Sequence, residues 1–314
     1  MRAARGVNCI VATVVTFAIF TWAVGPWLAG TGTASAAGTR VIVLGDDLTT
    51  DQQEAMRQLL KAPFGVRTLT VSNSEERAYL GQYIPAELIG SRAISSASVE
   101  TLPTGSGITV ETHNITWVTP QMYASALATA GVRDARVIAA APVPVSGTAA
   151  LAGIIKAFEG ATASGLSTAA KNVAARELYE TGRLGEEIGD KNKATRFIIL
   201  TKERVTEAGT NDPATIRRII IDVAKQNNIN LSDAQVNTLT DLMVQIKSLN
   251  LNISQLNAQL ANVRAQLDKL LGSLGETRSW IQRLIDAIRE VIARIMAIFR
   301  IRATAALRVL RIIR

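Results

Sequence analysis

The chain has 314 residues, of which 48% are apolar, 19% charged and only 4% aromatic. That balance belongs to a globular protein with a core of Ala, Val, Ile and Leu, and it excludes a disordered or collagen-like chain. The net charge of +8 is uneven: from Thr277 onward nine arginines stand against Asp286 and Glu290 alone, whereas residues 37–276 carry 23 basic against 24 acidic side chains.

No charged residue lies between Arg5 and Arg40. The interval opens with "CIVATVVTFAIFTWAV" and closes with "GTGTASAAG". Residues 1–36 therefore read as a secretory signal peptide, with a basic start, an apolar run and the small triplet Ala34-Ser35-Ala36 for cleavage after Ala36. A retained membrane anchor is the other use of such a run. In both cases Arg2 and Arg5 stay inside and the body is exported. Cys9 is the only cysteine and lies in this segment, with too short an apolar run before it for a lipoprotein. The exported body then has no thiol for a disulfide, a nucleophile or a metal site.

The stretch 37–160 alternates strands and helices, which predicts an α/β domain with a mixed sheet. "TRVIVLG" reads as a buried strand and "TTDQQEAMRQLLKA" as a helix opened by Thr50, with Gln53 completing a capping box. "VRTLTVS" is a second strand, and "SEERAYLGQYI" a helix interrupted at Pro85. "RAISSASVETL" and "GITVETHNITWV" alternate apolar and polar residues around "PTGSG", which predicts a hairpin. "TPQMYASALATAG" is a helix ended by Gly131, "ARVIAAAPVPV" a strand, and "GTAALAGIIKAFEG" a helix.

After the small-residue linker "GATASG" nothing requires a strand. Residues 161–230 carry three stretches with helical spacing, the last with Pro213 near its start. In the stretch 231–276 a heptad seam runs through Leu239, Leu242, Ile246, Leu249, Ile253, Leu256, Leu260, Val263, Leu267, Leu270 and Leu274. It predicts one long helix that packs on its own chain or self-associates as a coiled coil. Gly272 and Gly275 mark a hinge or weak point at its end.

Several of these stretches resemble the YpuA family, exported bacterial proteins with a domain of unknown function: "VIVLGDDLTTDQQ", "IGSRAISSASVE", "GSGITVETHNITWVTP" and "APVPVSGTAALAGIIKAFE". The similarity is clearest over residues 40–160. It implies an extracytoplasmic bacterial protein and transfers no catalytic residue.

The candidate chemistry is sparse. "VLGDDLT" resembles the GDSL block of serine esterases, but Asp47 stands where the nucleophilic serine belongs, and His113 is the only histidine. Asp46 and Asp47, at the end of the first strand, and His113 are the residues around which an envelope hydrolase would be built. As a metal site the two aspartates lack recognisable further ligands. Ser146, Gly147 and Thr148 lead from strand to helix and expose amides to an anion, without the lysine of a phosphate loop. No cofactor motif is present, so the sequence favours a binding or structural module over an enzyme.

The segment 277–314 is a basic amphipathic helix. Trp280, Ile281, Leu284, Ile285, Ile288, Ile292, Ile295, Phe299, Ala303, Ala306 and Leu310 share one side. Arg278, Arg289, Arg300 and Arg311 recur every eleven residues on the other, joined by Arg283, Arg294 and Arg308, with Arg302, Ile301 and Ile312 as exceptions. The arginines exclude a membrane span, and export argues against a nucleic-acid partner. The expected partner is an anionic membrane surface, with protein packing and an anionic envelope polymer as the other readings. The whole is an α+β chain: a signal peptide, an α/β domain, a helical region with a heptad-patterned helix, and this terminal helix.

Overall fold

The computed structural model describes residues 38–249 and 251–312, and the side chains of residues 274–280 and 291–312 lie outside that description. The segment read as a signal peptide, with Cys9, lies outside it as well.

Five strands form one mixed sheet in the order β2-β1-β3-β5-β4. β1 (Arg40–Gly45), α1 (Thr50–Leu59) and β2 (Arg67–Val71) make a βαβ unit whose strands run parallel. The capping box of α1 uses Thr49 and Gln52, one residue earlier than the sequence suggests. Leu48 is thereby buried before the cap, and Gln53 donates to the Leu48 carbonyl instead. α2 (Asn73–Leu80) and the single turn α3 (Ala86–Ile89) follow, divided at Pro85.

The expected hairpin does not form. β3 (Ser96–Thr101) pairs antiparallel with β1 and β5, and β4 (Ile108–Ile115) pairs only with β5 (Ala135–Val145), in parallel. β5 inserts between them because it is the strand that can be buried on both faces. Val137, Ala139, Ala140 and Ala141 are fully buried, whereas β4 keeps a polar side suited to an edge. α4 (Pro120–Ala130) makes the β4-to-β5 crossover, capped by Thr119 and closed by Gly131 at φ 92°, a left-handed position that favours glycine.

From α5 (Ala150–Thr162) onward the described residues are helical: α6 (Thr168–Ile188), α7 (Lys191–Ala208), α8 (Pro213–Gln226), α9 (Asp233–Ser248) and α10 (Ile253–Ile312). The α5 helix runs through Gly160, where a linker was expected. The helical part is not separate from the sheet. One core joins Val41, Val43 and Val99 of the sheet to Leu178 of α6, Ile199 of α7 and Leu260 of α10. A second core lies among α6 to α9, and a third, with Ile42, Leu44 and Met56, lies under α1 on the other face of the sheet.

The heptad seam is not one helix. Leu249 is extended, and Asn252 accepts from the Gln255 N–H at 3.1 Å, so a new helix starts there. Leu239, Leu242 and Ile246 are buried in the second core, whereas Leu256, Leu260, Val263 and Leu267 are buried in the first. These residues are closed to another copy in this fold. α10 continues as unbroken helix past Gly272 and Gly275, so the glycines interrupt nothing in this state.

Candidate functional site

The turn after β1 places Asp46 and Asp47 at the carboxyl end of the sheet, both exposed. The Asp46 N–H donates to the Val71 carbonyl at 2.9 Å and the Asp47 N–H to that of Ala93 at 3.1 Å. The Asp47 carboxylate in turn accepts from the Ala93 N–H at 2.6 Å, and Arg92 donates to the Asp47 carbonyl at 2.9 Å. Asp47 thus ties the segment before β3 to the end of β1. Its carboxylate holds backbone together, and a hydrogen-bonded aspartate of this kind is an anchor before it is a base.

Beside it stands Glu76, which the sequence did not single out. It sits in the first turn of α2, is fully buried, and accepts from Asn73 Nδ2 at 3.2 Å through Oε2, whereas Oε1 has no partner. Burial pushes its carboxyl up to about 7, against the Asn73 hydrogen bond and with Asp47 and Glu75 adding repulsion.

His113 is elsewhere. It lies on β4 with Nε2 at 2.9 Å from Glu111, which also binds Lys61 at 2.7 Å. β3 and β5 separate β4 from β1, which puts three strand spacings, about 14 Å, between His113 and the end of β1. The structure does not assemble Asp46, Asp47 and His113 into one site. Among the described residues no three His, Cys, Asp or Glu side chains converge on a metal position. At the third candidate, the Ser146 and Thr148 hydroxyls both donate to the Leu88 carbonyl, at 2.6 and 2.7 Å, and a Cβ on Gly147 would meet Ile115 at 2.3 Å. Tight packing fills that turn.

The most polar interior point lies among α4, α6 and α7, and sequence inspection missed it. Lys202 and Glu177, both fully buried, approach to 2.7 Å. Lys202 Nζ also donates to the Ser125 carbonyl and hydroxyl, at 3.0 and 2.8 Å, and to Thr129 Oγ1 at 3.1 Å. The hydroxyls of Ser125 and Thr129 donate to the two Glu177 oxygens, at 2.6 and 2.5 Å. Desolvation pushes the Lys202 ammonium down, and Glu177 counters it. A lysine on a serine hydroxyl is the geometry of a Ser–Lys nucleophile pair. Here Ser125 is itself buried and its hydroxyl is committed to Glu177, so the cluster serves to lock three helices.

Among the described residues, four of the six exposed large hydrophobic side chains lie on the terminal helix. Residues 281–290 are exposed on every side, and Ile281, Leu284, Ile285 and Ile288 remain 43%, 45%, 38% and 50% accessible. Successive residues turn by about 100°, so these four share one side while Arg283 lies opposite and Arg289 at the edge. Arg289 pairs with Asp286 at 3.5 Å. Arg278, Trp280, Ile292, Arg294, Phe299, Arg300, Arg308 and Arg311 have side chains outside the described set. No helix among the described residues is long and apolar enough to cross a membrane.

A family model described as a protein of unknown function, DUF1002, matches residues 44–263. A Bacillus subtilis (strain 168) protein named "Uncharacterized protein YpuA" is 38% identical over 266 residues, covering 85% of this chain and 91% of that protein. No solved structure matches the chain.

Proposed function

We propose that this chain, which belongs to the DUF1002 family of proteins of unknown function, is an exported envelope protein whose body is a non-enzymatic binding or structural module and whose C-terminal helix holds it on an anionic membrane surface. The observation that carries the proposal is the uncovered side formed by Ile281, Leu284, Ile285 and Ile288. It lies within a segment of nine arginines and two acids. An interfacial helix uses both features: the apolar side sinks into the boundary of the acyl chains, and the basic residues meet anionic headgroups at about 1 kcal/mol each near the surface. A core helix would use the first feature and leave the second unexplained. The single basic sign also argues against pairing with another copy of the same segment, since like charges would be brought together.

The test is flotation of the chain from residue 38 onward on vesicles, so that the N-terminal apolar run plays no part. Wild type is expected to float with anionic vesicles at low salt and to be released by high salt. I281S/L284S/I288S should lose at least tenfold in binding, because three apolar contacts are removed at exposed positions that the fold does not use. Equal flotation of wild type and the triple variant would refute the proposal. Capture by soluble anionic polymer without vesicles would assign the helix to the envelope wall instead.

A further inference from the structure

The apolar side of α10 keeps nearly the same direction inside the body and beyond it. Leu256, Leu260, Val263 and Leu267 face the core, where α10 packs against α4, α7 and β4. At about 100° per residue along one unbroken helix, the mean direction of Ile281, Leu284, Ile285 and Ile288 falls within about 40° of theirs. The exposed apolar side therefore points toward the side of the helix on which the body sits. Helices packed on α10 there have axes about 8–10 Å away. A flat bilayer laid against Ile281–Ile288 would cut through them while α10 stays straight.

The bend that resolves this cannot lie between Ile253 and Leu271. Arg264 binds Glu203 at 3.3 Å, Asp268 binds Arg196 at 2.7 Å, and Gln266 Nε2 donates to the Ile108 carbonyl at 2.9 Å. Leu270 and Leu271 still pack on the core. Gly272 is the next residue, exposed, with no atom within 4 Å of where a Cβ would stand, so packing does not require a glycine there. Gly275 follows within one turn. A glycine in an exposed helix interior weakens that turn for no local gain, and a pair of them is where a helix opens most readily.

We infer that docking on a bilayer opens α10 at Gly272–Gly275, so that the membrane-bound chain is bent where the free chain is straight. This rests on the lipid reading of the terminal helix. The chain from residue 38 onward has no cysteine, so the variant A265C/A287C can be labelled at two exposed positions on the helix side away from the core. In solution the labelled backbone positions should stand about 33 Å apart, the rise of a straight helix over that interval.

On anionic vesicles the distance should shorten. G272A, which stiffens the exit, should weaken vesicle affinity about fivefold without loosening the body. A chain that floats with its label distance unchanged, and floats equally well as G272A, overturns the hinge and leaves the membrane reading standing. A wild-type chain that does not float overturns both, and a concentration-dependent dimer would then assign the apolar side to a second copy.

Discussion

Replacing Lys202 by methionine is expected to destabilise the fold by about 3–5 kcal/mol, read as a lower urea midpoint at pH 7. The methylenes of lysine are replaced by a side chain of similar volume, so little of the loss comes from packing. It comes from Glu177, which keeps its place inside the body with the hydroxyls of Ser125 and Thr129 but without its cation. A buried carboxylate without a countercharge is among the costlier defects a core can carry. The double variant K202M/E177L removes both charges and should recover a large part of the loss, since the penalty belongs to the unpaired ion more than to the absence of the pair. Two hydroxyls would then lack an acceptor, at about 1–3 kcal/mol for each one left unsatisfied, so recovery stays incomplete. Equal destabilisation of single and double variants would mean that the ion pair supplies net stability of its own. K202M as stable as wild type would mean that the cluster is open to water and thus reachable by a ligand.

This cluster shows which parts of the molecule were legible in the sequence. Its clues were local: Ser125 and Thr129 lie one turn apart in a helix whose other residues, Gln121 apart, are apolar or small, and Lys202 falls four residues after the buried Ile198. Each clue is weak alone, because a single hydroxyl or lysine at an apolar position has many harmless explanations. Only packing of α4, α6 and α7 brings them together. Strand positions and most helix ends, by contrast, follow from short-range rules. Gly131, the Asp212–Pro213 cap and the run "ARVIAAAPVPV" mark their elements where they stand.

Strand pairing is the part that short-range rules miss. "PTGSG" has the composition of a hairpin turn, yet β5 lies between the strands it joins. The information that decides this is burial on two faces, and it resides in β5 rather than at the turn. The seam from Leu239 to Leu274 misleads for a related reason. Its spacing survives a break at Leu249, because two helices can each show a stripe to a different core while preserving the count of residues between them. The cap made by Asn252 and Gln255 was the local signal for that break. The end of α10 was legible as helix, and Ile281, Leu284, Ile285 and Ile288 of the expected apolar side are exposed.

Glu76 was not legible at all, since an acid in the opening turns of a helix is usually a solvent-exposed partner of the helix dipole. Its burial makes a pH-dependent prediction: Glu76→Gln should leave stability unchanged below about pH 4.5 and raise it by about 3 kcal/mol at pH 8. The folded carboxyl titrates near 7, above the 4.5 of the unfolded chain. Below 4.5 both states hold the proton, and the glutamine and the neutral acid are close equivalents. Between 4.5 and 7 the unfolded chain has released its proton while the folded one retains it, so rising pH lowers the stability of wild type and leaves that of the variant flat at this position. Above 7 the folded chain carries an anion with Asp47 and Glu75 nearby and Oε1 unpartnered, and the difference is at its full size. Urea melts of the two proteins at pH 4.5, 6 and 8 measure it directly. A glutamine variant less stable than wild type at pH 8 would reverse the sign, and would mean that the ionised Glu76 is held by a cation shared with Asp47. The carboxyl end of β1 would then be a binding site, and the enzyme reading of this body would have its first observation.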